Sequence, residues 1–175
     1  SVAEPNPGRT AYALDWDDPA FADVEVEIVP PGTRQGEGER GRGGIVVWQD
    51  ARNYFIVNTW LDDVYDGTSI SSFFFLDGRE DLYRAVWTNA GRRVTWGVPY
   101  RLRVATDGVR YLVYVDDEPV LYRALHDVYP SFTRLSIRKV GVAANWEWGD
   151  DTGSRFRRFS AKGGPGLISG PAGSM

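Results

Sequence analysis

Hydrophobic and polar residues alternate along much of this chain with the period of two that is typical of a β-strand with one buried face. In the clearest run, Val24, Val26 and Ile28 alternate with the acidic residues between them. Other short runs rich in β-branched and aromatic residues are separated by turn-forming residues. They lie at 45–48, 54–60, 70–76, 82–88, 135–143 and 155–161. This spacing of short strands predicts an antiparallel β-sandwich or barrel.

The strongest local signal is a hairpin in which residues 100–106 and 109–115 flank Asp107-Gly108. Asp-Gly between two β-rich runs favours a two-residue turn, because both positions of that turn need a residue that tolerates positive φ. Alternation places the arginines 101, 103 and 110 on one face of the hairpin. The other face takes Tyr100, Leu102, Val104, Val109, Tyr111, Val113 and Val115. An isolated hairpin is marginally stable in water, so this one requires neighbouring strands.

Turn and loop residues divide the rest of the chain. Residues 1–10 are predicted to form an extended arm, 11–162 a single β-sandwich domain, and 163–175 a Gly/Pro-rich tail or linker. A polar, Gly-rich segment from 33 to 44 reads as a long loop. Helical spacing is found only at 119–130, where it allows one or two turns. We therefore expect an all-β fold with little helix.

Four stretches resemble the concanavalin A-like lectin/glucanase superfamily, whose fold is a jelly-roll sandwich, and in particular its keto-disaccharide hydrolase-like and laminin-G-like modules. They are 21–32, 43–55, 96–116 and 140–159. The second contains Gly43-Gly44 before the strand and Asn53-Tyr54-Phe55 after its turn. The chain departs from the pattern at 116–119, where Asp-Asp-Glu-Pro replaces Asp-Gly, and in a charged insertion at 33–42.

Composition excludes several kinds of site. The chain of 175 residues has no cysteine and one histidine, which excludes disulfides, cysteine nucleophiles and multi-histidine metal centres. Its net charge of −4 argues against a nucleic-acid partner, and no apolar run is long enough to insert into a membrane. The number that stands out is seven tryptophans.

Tryptophans at strand ends or in loops beside carboxylates and amides suggest a sugar site. An indole can stack on the apolar C–H face of a sugar ring while neighbouring polar groups bind its hydroxyls. Such residues equally fit a plug at the end of a sandwich. The predicted ligand-binding residues are Trp60, Asp62, Asn145, Trp146, Trp148 and Asp150. The other tryptophans that we assign, Trp48 and Trp96, are expected in the core.

Acidic residues suggest two other kinds of site, a catalytic carboxylate pair and a calcium site. Glu25 and Glu27 lie on one strand face and could act as the carboxylate pair of a glycoside hydrolase, although a solvated strand face explains them equally well. The order Asp23, Glu25, Glu27 does not match the Glu-x-Asp-x-Glu order of glucanases that share this fold. Acidic clusters at 15–18, 62–66 and 150–151 could hold one structural calcium ion, which the resemblance also makes reasonable.

These observations lead to one preferred function and two rivals. We predict a non-catalytic, lectin-like carbohydrate-binding module that recognises an oligo- or polysaccharide and is extracellular or at the cell surface. The rivals are a glycoside hydrolase and a structural or adhesion domain. In the latter, the terminal arms could contact neighbouring domains or subunits.

Overall fold

The alternating runs form two antiparallel sheets. The computed structural model describes residues 2–3, 9–32, 41–62, 67–87, 94–145 and 154–164, and at 2–3, 9–10, 41–42, 60–62, 67–69, 82–87 and 145 the backbone alone. The strands are β1 (Val2–Ala3), β2 (Arg9–Asp15), β3 (Ala22–Val29), β4 (Gly41–Asp50), β5 (Asn53–Asp62), β6 (Gly67–Leu76), β7 (Arg79–Trp87), β8 (Tyr100–Thr106), β9 (Arg110–Val115), β10 (Glu118–Ala124), β11 (Lys139–Asn145) and β12 (Arg155–Lys162).

One sheet has seven strands in the order β1-β2-β11-β4-β5-β6-β7, and the other has five in the order β10-β9-β8-β3-β12. All neighbouring strands are antiparallel. The sheets pack face to face, so the all-β sandwich predicted from the sequence is confirmed. The described residues contain no α-helix, and none of their helical segments could span a membrane.

The core lies between the two sheets and consists of the inward-facing residues of each strand. Val24, Val26 and Ile28 of β3 are fully buried there, as the alternation predicts. An aromatic group joins the sheets: the ring of Tyr111 lies 5.3 Å from Phe55 in the opposite sheet. Burial of side chains of this size supplies most of the driving force for folding.

The predicted hairpin forms between β8 and β9, but its turn differs from the predicted one. β8 ends at Thr106 and β9 begins at Arg110, so three residues connect the strands, and of Asp107 and Gly108 only the glycine has a positive φ, +79°. The Asp107 carboxylate instead accepts hydrogen bonds from the backbone N–H groups of Val109 and Arg110, at 2.9 and 2.8 Å. Side-chain capping therefore replaces the two-residue turn.

The two-residue turn occurs one hairpin later. Val115 pairs with Glu118, and the two residues between them, Asp116 and Asp117, have φ angles of 49° and 68°. Aspartate tolerates this left-handed region better than most residues with a side chain. The Asp-Asp pair thus forms the two-residue turn between β9 and β10.

Of the one or two helical turns that the spacing at 119–130 allows, the structure forms one. Residues up to Ala124 continue β10, which pairs with β9, and only Leu125–Asp127 forms a single 3-10 turn. β10 lies at the edge of the five-stranded sheet, where the demand for strict alternation is weak. Strand β2 was also missed, since it begins at Arg9, inside the predicted arm.

Replacing Asp107 tests the capped turn. Burial alone would raise the pKa of this carboxyl, but the N–H groups of Arg110 and Val109 and the Arg110 guanidinium outweigh it and hold the pKa below its ordinary value of 3.8. The carboxylate therefore stabilises the fold at neutral pH, and this contribution is lost as the pH falls below that value. We expect Asp107→Ala to lower the free energy of unfolding by about 1–3 kcal/mol at pH 7.

The matched variant is Asp107→Asn, which keeps a side-chain acceptor and removes the charge. It should retain part of the stability at pH 7 and lose the extra acid sensitivity, measured by urea unfolding between pH 2.5 and 7. Identical stability of both variants and the parent protein at pH 7 would contradict the assigned role.

Candidate functional site

The outer face of the seven-stranded sheet carries a second apolar cluster. The outer face of an antiparallel sheet commonly meets water and carries polar residues. Here the outward side chains of β4, β5 and β6 are buried instead. The cluster consists of Ala11, Val46, Trp48, Tyr54, Ile56, Phe73 and Ala143. The described side chains of this face therefore form an apolar cluster that is closed to water.

Three aromatic rings cross this face in a row, one from each of three neighbouring strands. The Trp48 and Tyr54 rings are stacked with centroids 4.6 Å apart, and Tyr54 stacks on Phe75 at 5.3 Å. Trp48 is buried, as predicted, but it belongs to this outer row rather than to the core between the sheets. Trp96, the other tryptophan predicted in the core, is half-buried and packs against the main core.

Further along the same face, two buried polar side chains lie next to each other. Asn58 and Ser71 are directly paired residues of β5 and β6 and are 2% and 0% exposed. Neither the Asn58 Oδ1 atom nor the Ser71 Oγ atom has a hydrogen-bond partner. A buried polar atom left without a partner costs about 1–3 kcal/mol, and native proteins have few of them. We call this pair the polar step.

Gly44 has no side chain, and the Asn58 amide of the polar step occupies the space that a side chain would fill. It is the residue of β4 paired with Asn58, and a Cβ atom at this position would lie 2.2 Å from the Asn58 Oδ1 atom. Any other residue here would displace the amide. The sequence suggested a loop at Gly43-Gly44, whereas both glycines lie inside β4, where close approach of neighbouring side chains explains them.

The backbone brings three of the predicted ligand residues to the same end of this sheet. Trp60 and Asp62 are among the last three residues of β5, and Asn145 is the last residue of β11. Trp60 pairs with Arg42 of β4, and Asn145 is two residues beyond the Ala143–Gly44 pair. Trp60 and Asn145 thus flank β4 at one level, about 10 Å apart across two strand spacings.

In the same register, Trp60 and Asn145 lie two residues closer to this end of the sheet than the polar step does. The other predicted ligand residues, Trp146, Trp148 and Asp150, lie outside the described residues. Sequence reasoning missed Asn58 and Ser71, because a single polar residue in a strand resembles an ordinary solvent-facing position. The one available signal was the pair of glycines at 43–44 beside an Asn-containing strand.

The alternative catalytic carboxylates lie on the outer face of the other sheet. Glu27 accepts hydrogen bonds from the guanidinium groups of Arg157 and Arg158, which belong to the adjacent strand β12. Glu25 is separated from this ion-pair group and lines a small surface pocket of about 140 Å³. Its cross-strand neighbours are Arg103 and Ser160.

The pocket beside Glu25 is dominated by another ion pair. Arg103 donates from Nε and from one Nη atom to the two carboxylate oxygens of Asp23, both at 2.7 Å, and its guanidinium lies 4.8 Å from the centre of the Tyr114 ring. The strand that suggested a catalytic pair therefore forms a ladder of ion pairs with β8 and β12. Paired charges of this kind explain the alternation without catalysis.

Two acidic residues of the cluster at 15–18, Asp15 and Asp18, are engaged in structural contacts. Asp18 accepts hydrogen bonds from the N–H groups of Ala20, Phe21 and Gly164, and the bonds from Gly164 and Ala20 lower its pKa. Asp15 pairs with Lys139 at 2.5 Å. Within the part of the chain that the structure describes, no three His, Cys, Asp or Glu side chains come together as a possible metal site. The predicted calcium ion remains a prediction.

Comparison with known proteins gives a fold but no family. No protein-family profile matches the chain, and no curated protein matches it in sequence. Many solved structures are similar in fold. The carbohydrate-binding module CBM66 from Bacillus subtilis aligns over 93% of this chain and 100% of its own, with a TM-score of 0.57 and 17% identity.

Two further solved structures are similar to this chain in fold. The Caenorhabditis elegans galectin LEC-6 aligns over 93% of this chain and 100% of its own, with a TM-score of 0.58 and 10% identity. The enzymatically active domain of bacteriophage CBA120 tailspike protein 2 gives a TM-score of 0.60 at 12% identity, over 87% of this chain and 23% of that one. The fold is a jelly-roll β-sandwich. At these identities, the likeness extends to the fold alone.

Proposed function

We propose that the protein is a carbohydrate-binding module that holds a glycan on the outer face of its seven-stranded sheet, at the polar step. The observation that carries this proposal is the pair of buried oxygens, Asn58 Oδ1 and Ser71 Oγ, that have no partner. An amide oxygen accepts and a serine hydroxyl both donates and accepts, which is the combination that a sugar hydroxyl satisfies. The carbohydrate-binding module and galectin among the structural neighbours support a sugar as the ligand class.

The ligand-binding residues predicted from the sequence complete the proposed site. In this proposal Trp60, Trp146 and Trp148 stack on sugar rings, while Asp62, Asn145 and Asp150 bind hydroxyls. Because the oxygens of the polar step are closed to water in the free protein, a ligand can reach them only after side chains move. We therefore expect association slower than the usual 10⁵–10⁷ M⁻¹s⁻¹ of preformed sites.

Titrating intrinsic tryptophan fluorescence against a broad glycan panel tests this proposal. Each mixture is also assayed for released sugar, with and without calcium. A saturable shift without product supports a binding module. Product release that disappears in Glu25→Gln would instead assign a hydrolase. No response to any glycan, together with self-association, would favour the structural rival.

Trp146→Ala tests the predicted stacking residues. We expect the dissociation constant for the bound glycan to rise about thirtyfold or more, as for an aromatic residue at the centre of a site, with no change in the unfolding temperature. The control is Tyr122→Ala, which removes a solvent-exposed aromatic ring from the other sheet and should leave affinity unchanged. Unchanged affinity in Trp146→Ala would remove this residue from the site.

The finer assignments are parts of the same proposal. A relation to keto-disaccharide hydrolase-like or laminin-G-like modules, an extracellular or cell-surface location and a structural calcium ion all fit a secreted glycan-binding module. Calcium is checked by comparing thermal unfolding in excess calcium and in chelator. A higher unfolding temperature with the ion would support a bound calcium, because binding to the native state stabilises it.

A further inference from the structure

An apolar cleft of about 480 Å³ opens along one side of the sandwich, away from the polar step. At this side, the seven-stranded sheet extends past the edge of the five-stranded sheet, whose last strand is β12. The inner face of β2 is therefore left uncovered, and Tyr12 and Leu14 are each 64% exposed. The other apolar side chains of the lining are those of Ala13, Val142, Phe156 and Phe159.

An irregularity in β12 shapes the cleft and charges its rim. The pairing of β12 with β3 shifts between Arg157 and Ser160, and Arg158 has a φ of +55°, which costs energy for a residue with a side chain. This bulge lets Phe156 and Phe159, three residues apart, both line the cleft. It also sets Arg157 and Arg158 side by side at the rim.

Among the residues that the structure describes, the two rim arginines share a single carboxylate partner. Both guanidinium groups contact the same carboxylate, that of Glu27, which can balance one of the two charges. Their side chains remain 55% and 80% exposed, so the remaining charge is available to a ligand. An apolar floor beside an accessible guanidinium group complements a molecule with a hydrophobic body and an anionic head.

We propose that this cleft binds small amphipathic carboxylates such as medium-chain fatty acids. The acyl chain lies on Tyr12, Leu14 and the two phenylalanines, and the carboxylate pairs with Arg158. The cleft volume falls in the range of about 300–1,000 Å³ that is usual for small-molecule sites. This site is separate from the polar step, and the proposal does not depend on glycan binding.

Calorimetric titration of the full chain with octanoate, decanoate and dodecanoate below their micellar concentrations tests the proposal. We expect affinity to rise about fourfold for each methylene that becomes buried and to level off when the cleft is full. Arg158→Gln should weaken decanoate binding at least fivefold and leave 1-decanol binding unchanged. Arg138→Gln, which removes an exposed arginine that does not line the cleft, should change neither.

Variants of the floor separate binding in the cleft from binding elsewhere. Because Tyr12 and Leu14 are exposed, Tyr12→Ser and Leu14→Gln should keep the unfolding temperature and reduce the gain per methylene. Asn58→Leu should leave decanoate binding intact even if the proposed glycan site is wrong. Equal affinity for decanoate and decanol in the parent protein would overturn the proposal. So would the absence of binding combined with a dimer, seen by sedimentation, that Leu14→Gln dissociates.

Discussion

Asn58→Leu is expected to abolish glycan binding and to leave the free energy of unfolding unchanged or higher by about 1–2 kcal/mol. The substitution keeps nearly the same shape, but it removes a buried oxygen that has no partner in the free protein. Removing an unsatisfied buried polar group is neutral or stabilising, because its desolvation cost disappears. The same change removes the acceptor that we propose for a sugar hydroxyl. Stability and function should therefore change in opposite directions.

Its neighbour Thr59 provides the matched control. Thr59 is also fully buried, but it faces the other side of β5, where its hydroxyl donates to the Gly43 carbonyl and contacts the Tyr100 hydroxyl. Thr59→Val should therefore lower the free energy of unfolding by about 1–3 kcal/mol and leave glycan affinity unchanged. Urea unfolding and fluorescence titration of both variants complete the test. A loss of stability in Asn58→Leu would show that the amide has a structural role and would contradict the assigned site.

The architecture could be predicted because it depends on alternation, which is local. The period of two at Val24, Val26 and Ile28 identified a strand with one buried face, and the structure confirms it. Turn chemistry was less predictive, since the two-residue turn expected at Asp107-Gly108 forms instead at Asp116-Asp117. Which turn forms depends on the register of the paired strands and on contacts such as that between Gly108 and Leu135. Neither the register nor such a contact can be predicted from the two turn residues alone.

The candidate site depends on pairing between distant strands, so the sequence could supply its components and not their arrangement. Trp60 and Asn145 were suggested by residue type, and the strand order shows that β4 alone separates them. Asn58 became a candidate only through its pairing with Gly44 and Ser71, which places an amide oxygen without a hydrogen-bond partner directly against a glycine. The cleft follows from the unequal width of the two sheets, which no local pattern encodes.

Tyr111→Ala is expected to lower the free energy of unfolding by about 3–5 kcal/mol, the usual range for removing a fully buried large aromatic residue. The ring is 0% exposed, packs against Phe55 and Phe74 of the opposite sheet at 5.3 and 5.9 Å, and donates a hydrogen bond to the Ser72 hydroxyl at 2.9 Å. One side chain thus joins β9 to β5 and β6. Its loss would leave a cavity where the sheets meet, and rigid strands on both sides limit collapse.

Tyr111→Phe separates the hydrogen bond from the packing. It keeps the ring and should cost about 1–2 kcal/mol, because the buried Ser72 hydroxyl loses its donor. Tyr114→Ala, on the same strand but facing outward beneath Arg103, should cost about 1 kcal/mol, since a half-buried ring leaves no internal cavity. Urea unfolding of the three variants measures how much each substitution lowers the free energy of unfolding and so ranks them. If Tyr111→Ala cost no more than Tyr114→Ala, the aromatic contact between the sheets would not stabilise the sandwich.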